Sequence, residues 1–201
     1  MVSCVWRTGV YVFCSILFIF PQGSNLFAKG AGENSDVKPQ VNQTQFHWNE
    51  KQKLTWEDFK GAIPANTDDN AAAATYCSIG FEIDKKASDN KPEITVYNNF
   101  YINQSWVRAD AKISDILAHE QGHFDLCELY TRKLKSRIDT AIAETDAAYV
   151  QESLRRIYNE VSAEYESRQV CYERETIHGT DIENQKKWTE TIAGELSVSG
   201  N

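Results

Sequence analysis

The sequence predicts an α+β protein with one folded domain, antiparallel strands first and three helices after them. Two changes of pattern carry that reading. Between residues 76 and 103 apolar residues alternate with polar ones, whereas from residue 109 onward they recur every three or four positions and proline is absent. The length, 201 residues with 41% hydrophobic and 25% charged content, suits a single core.

The chain opens on a different kind of sequence. Arg7 precedes an apolar run from Val10 to Phe20, then Pro21 and small residues follow, with no acid before Glu33. That is the layout of a secretory signal peptide, and residues 1–30 are expected to be one. The run falls short of the ~20 apolar residues a membrane span needs. Cleavage after Ala28 or Gly30 would give an exported chain, periplasmic or extracellular, with no integral membrane segment; retention as an uncleaved anchor is the alternative. Residues 31–45 are polar and lack aromatics, so they read as a flexible linker ahead of a domain over 46–201.

Within that domain, Phe46, Trp48, Leu54, Trp56 and Phe59 come in quick succession and suggest a short strand and a turn laid on the core, with His47 an ordinary histidine. Cys77, Ile79, Phe81 and Ile83 then alternate with polar residues, and Ile94, Val96, Phe100 and Ile102 do so again after the turn-like segment 85–92. The two runs read as an antiparallel hairpin. Helices are expected over about 110–138, 141–177 and 182–197, Gly179 stopping the second and Asp181 capping the third.

Charge excludes one class of partner. Lysine and arginine total 21 against 29 acidic residues, a net charge of −8. Sequence-independent nucleic-acid binding needs a basic footprint, and none is present.

Two of the four histidines lie four residues apart in "HEQGHFD", His119 to Asp125. On a helix, His123 falls about 40° from His119 and Glu120 about 100° from it. Leu126, Tyr130, Ile116, Leu134, Cys127, Phe124 and Leu117 mark the same side as apolar, while Gln121, Asp125 and Glu128 lie opposite. The histidines therefore sit on the face that becomes buried, where an imidazole must find a hydrogen-bond partner or a metal. Spacing of four lets both rings reach one ion, and the expected cofactor is one Zn²⁺ per chain. Glu120, carried to the edge of the pair, suits the role of general base toward a water, the chemistry of peptide-bond hydrolysis. Gly122 leaves a bare patch on the helix, open to close approach by another backbone.

The segments "LTWEDFKG", "AAAATY", "HEQGHFD", "YERETIHG" and "QKKW" resemble, in order, a bacterial domain family of unknown function described as secreted zinc-dependent proteases. The resemblance covers roughly residues 46–197. It implies a zincin-like domain, a metallopeptidase activity and a peptide or protein substrate. Leu126 and Leu129 stand where a metzincin would carry a glycine and a third histidine.

A catalytic zinc needs a third protein ligand. Asp125 and Glu128 are on the polar side of the same helix, and His47 lacks a clear carboxylate partner. His178, at the end of the second long helix, is the expected ligand, and the resemblance points to it too, in "ETIHG". Continued to His178, the wheel groups it with Cys171, Arg174 and Glu175 and turns Glu173 away; Glu175 and Asp181 are then carboxylates able to orient an imidazole. Glu175, Glu164 and Asp181 remain alternative ligands. With the leader removed, Cys77, Cys127 and Cys171 remain, and an antiparallel pair of helices would let Cys127 bridge to Cys171, leaving Cys77 buried in its strand. Two further readings share these residues: a metal-stabilised envelope or binding module without turnover, and a hydrolase of another amide bond such as that of cell-wall peptide.

Overall fold

The computed structural model describes residues 44–84, 93–144 and 149–199. The expected leader, most of the linker and the hairpin turn lie outside the described residues. Among the described residues five strands come first: β1 (Gln45–Phe46), β2 (Ala73–Ala74), β3 (Cys77–Asp84), β4 (Glu93–Tyr101) and β5 (Trp106–Val107). Helices α1 (Ser114–Glu144), α2 (Val150–Thr176) and α3 (Ile182–Val198) follow. No helix among the described residues is long and apolar enough to cross a membrane.

The alternating runs form the hairpin their period demands. β3 and β4 pair antiparallel from Cys77↔Phe100 to Asp84↔Glu93, and β1 adds to the other edge of β4. Cys77 and Ile79 are buried, while Ile83, toward the hairpin end, is 38% exposed, so the sheet is covered at one end only. Asn98 occupies an apolar-phase position of β4 and is buried because its side chain accepts from Trp48 N at 2.7 Å and donates to Glu128. That polar tie joins the opening segment, the sheet and α1. Beside it Phe46, Phe59, Phe100 and Phe124 pack with ring centroids 5.0–5.9 Å apart, Phe46 stacked on Phe100 and the other pairs edge-on or tilted, which makes the aromatic opening segment part of the core. His47 is exposed, its ring bonded to Asn98 O.

Helix α1 is the centre of the molecule. One side packs on β3 and β4 and the other on α2 and α3, so burial around its middle extends well beyond one stripe, from His119 through Cys127. Its boundaries differ from the expected ones. A 3₁₀ turn occupies Ala109–Ala111, α1 begins at Ser114 and runs to Glu144, and α2 starts only at Val150. No glycine or proline marks that junction in sequence, which is why periodicity placed it too early. Asp181 does cap α3, accepting from Asn184 N at 3.0 Å.

The end of α2 decides the site. The helix stops at Thr176, and Ile177, His178 and Gly179 all take positive φ, at 49°, 54° and 77°. A β-branched residue in that region is strained. A wheel continued through His178 therefore fails, and the face of α2 turned to α1 is Tyr165, Gln169, Tyr172, Glu173 and Thr176.

The same rotation rules out the expected disulfide. Cys127 is buried toward the sheet with its thiol 3.4 Å from Ser78 O, whereas Cys171 is partly buried at the edge of the core beside Arg174, and both cysteines are free. Intact-mass measurement of freshly purified chain should show no added hydrogen mass on reduction; a gain of two hydrogens would contradict this arrangement.

Candidate metal centre

His119, Glu120 and His123 are all fully buried. The imidazoles lie at right angles, with ring centroids 4.7 Å apart and Nε2 atoms 3.1 Å apart. Glu173 completes the group with one oxygen toward each ring: its Oε2 is 3.4 Å from His119 Nε2 and its Oε1 is 3.2 Å from His123 Nε2. The expected third position thus belongs to Glu173, not to His178.

His178 stands behind it. Its Nδ1 is 2.7 Å from Glu173 Oε2, so the left-handed turn sets this ring against the carboxylate. Gly179 completes the turn, and a Cβ there would come within 2.8 Å of His119 Cβ. Burial pushes the Glu173 carboxyl up, but the imidazoles of His123, His119 and His178 outweigh it and hold it well below the usual carboxylate range.

The other carboxylates proposed from sequence are occupied elsewhere. Glu175 Oε2 accepts from Trp188 Nε1 at 3.0 Å, Asp181 caps α3, and Glu164 pairs with Lys133 and with Arg137 at 2.8 Å. Glutamines do the work expected of Glu175 and Asp181. His119 Nδ1 lies 3.0 Å from Gln185 Oε1, and His123 Nδ1 lies 2.6 Å from Gln169 Oε1.

The donor set fits a metal ion. Ligand atoms on a tetrahedral ion bound at about 2.0–2.1 Å stand about 3.3 Å apart. The two Nε2 atoms, 3.1 Å apart, are near that spacing, and each has its own Glu173 oxygen at a similar distance, Oε2 from His119 and Oε1 from His123. Among the described residues only these three form such a cluster, leaving a fourth vertex without a protein ligand. Glu173 Oε1 and both carboxylate oxygens of Glu120 are buried without a hydrogen-bond donor among the described residues. A buried carboxylate in that state costs several kcal/mol, which a cation nearby would offset. Burial pushes the Glu120 carboxyl above the ordinary range, against the opposing pull of the His123 and His119 imidazoles.

Tyr172 shapes the wall of this site. Its ring stacks on His119 at 4.7 Å and 14° and meets His123 edge-on at 5.0 Å. Gly122 is the reason it can: a Cβ there would lie 2.1 Å from the Tyr172 hydroxyl. The bare patch on α1 accommodates a side chain rather than another backbone. Gly122→Ala gains at most about 1 kcal/mol of helix propensity. Overpacking costs about 1–3 kcal/mol. A contact of 2.1 Å belongs at the upper end, so urea denaturation should show a net loss of stability; unchanged or raised stability would show that Tyr172 yields freely.

No curated protein and no solved structure matches the sequence. A family does: residues 64–179 match the family described as "Bacterial protein of unknown function (DUF922)", a stretch that contains His119, Glu120, His123, Glu173 and His178, and the chain belongs to that family.

Proposed function

We propose that the protein is an exported, zinc-dependent metallopeptidase of zincin-like fold. The observation that carries this reading is Glu120. It is fully buried, its carboxylate oxygens have no hydrogen-bond donor among the described residues, and it is adjacent in sequence to His119 in a three-residue donor set. A purely structural zinc is usually closed by four protein ligands and needs no such carboxylate.

Zinc held by His119, His123 and Glu173 would polarise the scissile carbonyl and bring the pKa of a water to about 7. The chain's own residues do the rest. Glu120 accepts a proton from water as its oxygen bonds to the carbonyl carbon, then delivers that proton to the amide nitrogen as the C–N bond breaks. The products are a carboxylic acid and an amine, which become a carboxylate and an ammonium when the acid's proton passes to the amine. His178 holds Glu173 in place, and the two glutamines hold the imidazoles.

The complete burial of His119, Glu120 and His123 favours a second reading, a metal-stabilised module without turnover. A panel of unstructured peptides separates the two. The peptidase reading expects cleavage that a chelator abolishes and added zinc restores; a chain that binds zinc, loses stability on chelation and cleaves no peptide or cell-wall amide supports the second.

A further inference from the structure

We propose that Ile177 is a specificity-determining residue: an apolar contact at the mouth of the site for a bulky aliphatic side chain of an extended peptide, carried close to the bond to be cleaved. The inference rests on the peptidase reading and adds to it a class of substrate. It follows from where the site meets solvent and from a backbone conformation that the fold itself does not require of an isoleucine.

Solvent meets the donor set at the end of α2. The side chains of His119 and His123 are 1% and 0% exposed and Glu120 is fully buried, whereas Glu173 keeps 14% of its side chain exposed and His178 keeps 19%. A peptide approaching the donors therefore arrives over Glu173 and the turn that follows it.

Ile177 opens that turn. Its φ of 49° lies in the left-handed region, where a β-branched side chain crowds the backbone and where glycine or asparagine sits with less strain. The two residues after it have reasons for the same conformation. His178, at φ 54°, sets its ring 2.7 Å from Glu173 Oε2, and Gly179, at φ 77°, packs against His119 where a Cβ would not fit. Burial does not offset the strain at Ile177, which stays 53% exposed. The hydrogen bonds that close the turn run from Ile177 N to Glu173 O, from Thr180 N to Ile177 O at 3.1 Å and from Asp181 N to Thr176 O at 2.8 Å. They use backbone atoms that any residue but proline supplies. The aliphatic side chain is thus held outward at a cost, and a contact from outside the chain gives it a use.

A single exposed isoleucine is ordinary on a protein surface. Ile177 has company. Thr176 Oγ1 and Gln185 Oε1 lie 3.5 and 3.0 Å from His119 Nδ1, which sets the end of α2 and the start of α3 against the first turns of α1. Ile182, 56% exposed, begins α3 three residues before Gln185, and Ile113, 53% exposed, precedes α1 six residues before His119. Three exposed isoleucines therefore share the end of the bundle that carries the donors, the kind of apolar patch that marks a binding surface.

Reach identifies the occupant as the substrate. Adjacent Cα atoms are about 3.8 Å apart and the His178 side chain spans roughly 3 Å before its 2.7 Å contact, so Ile177 Cα is within about 10 Å of the Glu173 carboxylate. An extended peptide covers that distance in about three residues. A chain with its carbonyl at the donor set thus has a side chain in range of Ile177, and an aliphatic one gains by covering it.

The test is fluorescence polarisation with the zinc-loaded Glu120→Gln chain and two fluorescein-labelled octapeptides that differ only in carrying leucine or serine at alternate positions. The leucine peptide should bind about 10-fold more tightly. Ile177→Asn in the same chain should cut that ratio to about 3-fold or less, while Val198→Asn, at a residue 77% exposed at the far end of α3, should leave it unchanged. Ile177→Asn should also melt at the temperature of its parent or about 2–8 °C above it, since the strain is relieved. Equal binding of the two peptides by the parent overturns the inference, as does a ratio that Ile177→Asn leaves intact, including one in which both peptides lose affinity alike. A lower melting temperature, or failure to fold, shows that the side chain serves the fold and overturns it too. An Ile177-dependent preference in a protein whose zinc-loaded wild type cleaves neither peptide refutes the peptidase reading alone.

Discussion

Glu120→Gln should retain one zinc per chain and lose hydrolysis by about 10²- to 10⁴-fold, the range that a positioned general base contributes. The reasoning is geometric. Glu120 is on the same helix as the ligating rings yet outside the triangle of His119, His123 and Glu173, so an amide in its place removes the proton acceptor without touching coordination. The fold should tolerate the change well. Wild type buries both oxygens of this carboxylate without a donor among the described residues, an arrangement that is costly for folding. Metal analysis and a peptide-cleavage assay on the same preparation check both halves. Loss of zinc together with activity would show that Glu120 is a ligand and that the division of roles is wrong.

Glu173→Ala and His178→Ala should differ sharply. Removing Glu173 deletes the sole anionic donor from the triangle and leaves His178 facing a void, so stoichiometric zinc binding should be lost at micromolar concentrations. Removing His178 leaves all three donors present and takes away the ring 2.7 Å from Glu173 Oε2. The expected cost is the roughly 10- to 100-fold in affinity typical of residues that orient a ligand. Competition with a chromophoric chelator measures both. Equal losses, or a greater loss in His178→Ala, would restore His178 to the first position.

How far the sequence revealed this arrangement depended on how local each signal was. The hairpin was readable because its two-residue period is a property of adjacent positions, whereas its register, with Cys77 opposite Phe100, is set by the structure. His119 and His123 were readable for the same reason, four residues apart on one helix. Glu173 was not, because its approach depends on where α2 stops. The left-handed turn at Ile177–Gly179 rotates His178 off the helical face, and nothing before Gly179 announces a stop at Thr176. Had the break been placed there, the positions Gln169, Tyr172, Glu173 and Thr176, spaced at three and four, would have emerged as one polar stripe on a buried face. The glutamines illustrate a different limit. A partner for a buried imidazole was expected to be a carboxylate, and Gln185 is recruited from a third helix that only the tertiary fold brings near. Gly122 was correctly singled out, but its occupant, the Tyr172 hydroxyl, lies 50 residues further along the chain.

The position of zinc in crystals of the protein, located by anomalous scattering at the zinc absorption edge, tests the central claim most directly. The account predicts a single ion about 2.0–2.2 Å from Nε2 of His119, Nε2 of His123 and a carboxylate oxygen of Glu173, with Glu120 uncoordinated beside it and His178 on the far side of Glu173. An ion ligated by His178 or by Glu120 contradicts it, as does the absence of any ion between the two histidines.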